Sequence, residues 1–109
     1  MKKIYIAGKV SGETQVECAM KFSAVQKQVE ALGFEAINPL EVVGNWEATW
    51  EEAMKKCIKS LLDCEGMVLL PDWEQSTGAK IERKIAEDLG ITICNATKDG
   101  LQILHKHLS

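Results

Sequence analysis

The chain has 109 residues, 46% of them hydrophobic and 27% charged, with a formal net charge of −3. That is enough apolar material for one folded domain, residues 1–109, with a core of its own. Lys and Arg alternate with Asp and Glu, so no basic stripe offers itself to a polynucleotide, and no run approaches the ~20 apolar residues that cross a bilayer.

MKKIYIAG passes into a glycine loop where a secretory signal would continue its hydrophobic region, so a cytoplasmic protein is expected. The cysteines Cys18, Cys57, Cys64 and Cys94 lie far apart with no C-x-x-C pair, which indicates reduced thiols rather than a zinc site or a disulfide framework. His105 and His107 are two apart on the last predicted helix, on different faces, and read as solvated side chains rather than joint metal ligands. No metal and no cofactor is expected.

In chain order, Lys3 to Ala7 is a β-rich apolar run ended by Gly8 and followed by the turn-rich loop GKVSGET. Thr14 with Glu17 fits a capping box, and Cys18, Phe22, Val25, Val29 and Leu32 repeat at helical spacing until Gly33. Phe34 to Ile37 is a second short strand closed by Asn38-Pro39. After a loop, Thr49 with Glu52 opens a second helix, one face of which carries Trp50, Met54, Cys57, Leu61 and Cys64. Gly66 to Leu70 is continuously apolar, as in a strand covered on both faces, and Pro71 ends it. A third helix begins near Thr77 and stops before Gly90. Ile91 to Cys94 is the fourth strand, and Asp99 is the expected cap of a last helix carrying Leu101, Leu104 and Leu108.

Strand and helix thus alternate without repeat, low-complexity tract or linker. This predicts a Rossmann-like or flavodoxin-like three-layer α/β sandwich around a mainly parallel sheet of four to five strands. In such sheets ligands bind beyond the carboxyl ends of the strands. The loops there are Gly8 to Glu13, Asn38 to Ala48, Asp72 to Thr77 and the segment after Cys94.

One residue breaks the pattern. In STGAKIERKIAEDLG the apolar stripe is Ile81, Ile85, Ala86 and Leu89, and at about 100° per residue Glu82 falls inside that arc. A carboxylate on the inward face either pairs with a buried cation or donor, Lys9 or Arg83 being candidates, or lines a pocket at the helix's N-terminal end.

YIAGKVSG, ATWEEAMKKCIKSLLDCEGMVLLP and STGAKIERKIAEDLG together resemble the nucleoside 2-deoxyribosyltransferase superfamily, in particular its small bacterial and phage branch, over nearly the whole chain. The resemblance implies that Glu82 is a nucleophile toward the sugar C1′, that the Tyr5 hydroxyl approaches it, and that Gly8 lets backbone come close to ligand. Ser76 and Gly78 resemble the deoxynucleotide N-glycosidase branch, where the serine lies near the 5′-phosphate; the alternative for Ser76 is a plain helix cap. Lys9 and Ser11 in the first loop are further substrate-contact candidates, Lys9 standing where a proline is usual. Cys57 occupies the position of the family's second acid, a departure, and its alternative is a small core residue. Asp72 or Glu74 then becomes the candidate replacement acid, against an ordinary solvated loop. The implied ligand is a nucleotide or nucleoside. The implied assembly is a homodimer or larger, and the expected alternative to an enzyme is a nucleotide-binding module that has lost efficient chemistry.

Overall fold

The computed structural model describes residues 1–109. Four parallel strands, β1 (Lys3–Ala7), β2 (Glu35–Ile37), β3 (Gly66–Leu69) and β4 (Thr92–Asn95), form one sheet in the order β2-β1-β3-β4. The connecting helices are α1 (Gln15–Ala31), α2 (Pro39–Val43), α3 (Trp50–Leu61) and α4 (Thr77–Asp88), and α5 (Lys98–Leu108) ends the chain. The three-layer α/β expectation holds, with four strands and every pairing parallel.

Strand alternation sorts the core into two halves. Ile4 and Ile6 of β1 and Val68 of β3 face α1 and α5, meeting Cys18, Phe22, Val29, Leu101 and Leu104. Tyr5 and Ala7 of β1, with Met67 and Leu69 of β3, face the other way, toward Cys57 and Leu61 of α3 and Ala79 and Ala86 of α4. The helical repeat read for α1 is thus its buried face. The central strands β1 and β3 are almost wholly apolar because helices cover both their faces.

Local signals account for most boundaries. Thr49 and Glu52 close both halves of a capping box, each backbone N–H reaching the other's side chain at 3.2 Å. At Thr14 only the hydroxyl half forms, accepting from Glu17 N at 3.1 Å. The last helix is capped by the Thr97 hydroxyl, which accepts from Gly100 N at 2.9 Å, and not by Asp99, which lies inside the first turn. Asn38 does more than end a strand: its side chain accepts from Leu40 N and starts the short helix α2 across a stretch expected to be loop.

The stripe expected on α4 holds at Ala86 and, partly buried, at Ile85, but not at its two ends. Its buried residues are Ala79, Glu82 and Ala86, whereas Ile81 is 38% and Leu89 57% exposed. Two alanines let the helix lie close on the sheet, so the small residues mark the most buried part of the inward face, with Glu82 at its centre.

Gly100, in the first turn of α5, has no room for a side chain because a Cβ there would meet the Asn95 backbone, including its carbonyl carbon at 2.9 Å. Helix propensity alone would make Gly100→Ala stabilising by about 1 kcal/mol. Since backbone cannot swing aside, the expected result is the opposite sign, a loss of about 2 to 3 kcal/mol in denaturant unfolding.

Candidate functional site

The strand order reverses direction between β1 and β3, and the loops leaving these two strands run to opposite faces of the sheet. A cleft of about 570 Å³ opens at this rim. Tyr5, Cys57 and Glu82 line its inner part, Gly8 and Ser11 come from the loop after β1, Ser76 and Gly78 from the cap and first turn of α4, Trp46 from the α2–α3 connection and Trp50 from the start of α3.

The inner group is a hydrogen-bonded pair. Tyr5 Oη donates to Glu82 Oε2 at 2.9 Å, between residues 77 apart in sequence. Tyr5 is fully buried on a central strand, and a phenol there needs a partner for its O–H. Glu82 is 5% exposed and has no cation within ion-pair distance. Burial raises the Glu82 carboxyl to about 7, and the Tyr5 hydrogen bond pulls the other way without cancelling it. The Tyr5 hydroxyl is itself pushed well above its ordinary value, first by burial and then by the neighbouring Glu82 charge.

Neither candidate for a buried cation partner serves Glu82. Arg83 pairs with Glu87 at 2.9 Å and lies over the Trp73 ring, 5.0 Å from its centroid. Lys9 forms no ion pair and lines a smaller annex of about 280 Å³ beside the main cleft, together with Gln75, Ser76, Thr77 and Gly78. Ser11 and Trp50 border both spaces.

Ser76 is the cap of α4: its Oγ accepts from Ala79 N at 3.1 Å, while the side chain also lines cleft and annex. The two roles are compatible, because the hydroxyl proton remains free to be donated. Gly8 and Gly78 both line the cleft, and packing already requires the first of them. A Cβ at Gly8 would sit 2.9 Å from Leu70 Cβ, and one at Gly78 would sit 2.9 Å from Met54 Sδ.

Cys57 is both core and cleft, 5% exposed and beside the Tyr5 hydroxyl. Burial pushes its thiol up to about 11, with the Tyr5 hydroxyl opposing and Glu82 adding to the rise, so it stays protonated at neutral pH. Asp72 is placed apart from this group. Its Oδ2 takes Lys21 Nζ at 2.6 Å and its Oδ1 takes the Lys9 N–H at 3.0 Å, outside the cleft lining. Lys21 also reaches Glu13 at 2.9 Å, so one ammonium ties the first loop to the loop after β3. The Lys21 and Lys9 hydrogen bonds hold the Asp72 carboxyl below its usual range despite partial burial. Its carboxylate is already committed, which leaves the cleft without a second inner acid.

Sequence reasoning passed over Trp46, Glu13 and Lys21. Trp46 carried a usable signal, an indole in the polar loop GNWEAT, where nothing apolar demands it. Lys21 carried none, since a lysine one residue from a buried phenylalanine is ordinary helix surface.

Fold and cleft together define an α/β protein with the nucleoside deoxyribosyltransferase fold. The solved structure of a 2-desoxiribosyltransferase from Leishmania mexicana matches with a TM-score of 0.67 at 18% identity, over 87% of this chain and 63% of that one. This chain therefore spans less than two thirds of that protein's length. No curated protein sequence matches. The chain belongs to the family described as domain of unknown function (DUF4406), which matches residues 2–95. No helix is long and apolar enough to cross a membrane.

A carboxyl raised from 4.5 to about 7 favours the folded state only while protonated. Its stabilising contribution is complete below the unfolded value near 4.5 and is lost as pH rises through about 7. Glu82→Gln has no such loss. Between pH 5 and pH 8 the variant should gain about 2 to 3 kcal/mol on the wild type in chemical unfolding. A variant that instead falls behind at pH 8 would mean that Glu82 has an ionic partner.

Proposed function

We propose that this protein cleaves or exchanges the N-glycosidic bond of a deoxyribonucleoside 5′-monophosphate, with Glu82 as the nucleophile. The observation that carries this is the Glu82 carboxylate, buried at the wall of a 570 Å³ cleft and held by a single donor, Tyr5, at 2.9 Å. A buried carboxyl whose one polar partner is a hydroxyl, and which faces a cleft, is what a carboxylate nucleophile at this wall requires.

Glu82 attacks the sugar C1′ in its ionised form, forming a glycosyl ester that water or an acceptor base resolves. Desolvation keeps the carboxylate reactive. The Tyr5 hydrogen bond aims one oxygen and leaves the other free to attack. Turnover should therefore rise with pH through about 7, the range in which Glu82 ionises. Tyr5→Phe removes the interaction that lowers this value, so the acid limb should move to higher pH.

The annex supplies the phosphate site of this proposal. Lys9, the Ser76 hydroxyl and the start of the 12-residue helix α4 border it, which joins a cation to backbone N–H groups at a helix N-terminus. In the main cleft, by contrast, neither lysine nor arginine is present.

A second reading is favoured by Cys57. A thiol raised to about 11 neither carries charge nor donates its proton readily at neutral pH, so the pocket could bind nucleotide with little turnover. Release of free base separates the two. Under the first reading, purified protein liberates base from a deoxynucleoside monophosphate, and Glu82→Gln reduces the rate on the order of 10³-fold or more while remaining folded. Tight binding with no base released would select the second reading. In calorimetry, monophosphates should bind about 10- to 100-fold more tightly than the matching nucleosides, the range expected from charge-assisted hydrogen bonds. Equal affinities would remove the phosphate from the proposal.

A further inference from the structure

The cleft holds an imbalance. Among its 24 lining residues are two carboxylates, Glu13 and Glu82, and no lysine, arginine or histidine. Lys21 pairs with Glu13 but is not itself part of the lining. Two indoles, Trp46 at 40% and Trp50 at 44% exposure, line the same cleft. At the inner end a thiol, Cys57, stands beside Tyr5 and Glu82, and Asp72 is turned away into the Lys21 pair.

Heterolysis of the C1′–N bond in an uncharged nucleoside expels the base with negative charge on its nitrogen, and glycosidic enzymes relieve this by protonating the leaving group. General acid assistance of that kind contributes typically about 10²- to 10⁴-fold. Here no inner group is suited to give the proton: Tyr5 and Cys57 are both raised by burial, and Glu82 is spent as nucleophile. A base that already carries a positive charge needs no proton. Indole faces and carboxylates are also the surfaces that attract such a cation.

Resting on the glutamate-nucleophile reading above, we propose that the substrate class is an N-glycoside with a positively charged base, such as an N7-alkylated purine or a pyridinium. A lone pair of Glu82 forms the new bond to C1′. The C1′–N bond breaks and its electron pair passes to the ring nitrogen, cancelling the positive charge, so the base leaves neutral. Water then forms the second bond to C1′, the ester C–O pair returns to Glu82, and one proton from the water goes to solvent. The sum is cationic glycoside plus water giving neutral base, free sugar phosphate and one proton.

Two substrates that differ by one methyl group and one charge test this: 7-methyl-2′-deoxyguanosine 5′-monophosphate and 2′-deoxyguanosine 5′-monophosphate, each corrected for spontaneous base loss. The expected kcat/KM ratio is 10²-fold or more in favour of the methylated substrate, with the activity lost in Glu82→Gln. Cys57→Asp, which places an acid beside the leaving group, should narrow that ratio tenfold or more by raising the unmethylated rate. A ratio below ten in the wild type overturns the charged-base inference and leaves the glutamate-nucleophile reading standing. Activity on the methylated substrate that survives in Glu82→Gln overturns both, as does the absence of base release from either substrate. Because the wild-type ratio decides, a Cys57→Asp chain that fails to fold does not block the test.

Discussion

The buried hydrogen bond between Tyr5 and Glu82 is the contact around which the rest of the site is arranged. A phenol on a central strand must find an acceptor, and a carboxylate on the inner face of a helix must find a donor, so each meets the other's need at 2.9 Å. Neither removes the cost of burying a charge, which is why the carboxyl is raised to about 7 instead of lowered by its bond. Closeness is the condition for all of this. Ala79 and Ala86 bracket Glu82 and allow α4 to settle on the sheet, and Gly78 leaves space for Met54 of α3. Larger residues at Ala79 and Ala86, which are buried, would overpack this contact.

Around that pair, the loops are held by a second, wetter set of charges. Lys21 on α1 binds both Glu13 and Asp72, and Asp72 also accepts the Lys9 N–H, so the loop after β1 and the loop after β3 share one anchor. These side chains are about a quarter exposed, and contacts of this type are individually weak. What they define is position: both loops border the opening over Glu82. The acid that the family resemblance made a catalytic candidate, Asp72, is thus part of the frame of the cleft.

The annex and the main cleft divide the ligand chemistry between them. Lys9 and the α4 N-terminus suit an anion, while the main cleft offers carboxylates, indoles and a protonated thiol. A ligand carrying negative charge at one end and a planar, electron-poor group at the other matches both halves. Cys57 fits this division, because a thiol packs in this half of the core without adding a second buried charge.

Much of this was legible in the residues themselves. The strand-helix alternation, the buried runs of β1 and β3, the Thr49–Glu52 box and the anomaly at Glu82 are local patterns, and local hydrogen bonding and periodicity carry them. Two features were only half legible: the cap of α5, where Thr97 and Asp99 are both competent and backbone geometry chose the hydroxyl, and the inward face of α4, where branched residues suggested Ile81 but small ones packed. Partnership was not legible. Nothing local says that Glu82 meets a tyrosine 77 residues away, that Asp72 is taken by a lysine 51 residues earlier, or that Trp46 stands over the same cleft as Cys57. Periodicity reports which face a side chain occupies, whereas its partner is set by which strands lie side by side. The order β2-β1-β3-β4 brings Tyr5 under α4, and only the closed sheet contains that information.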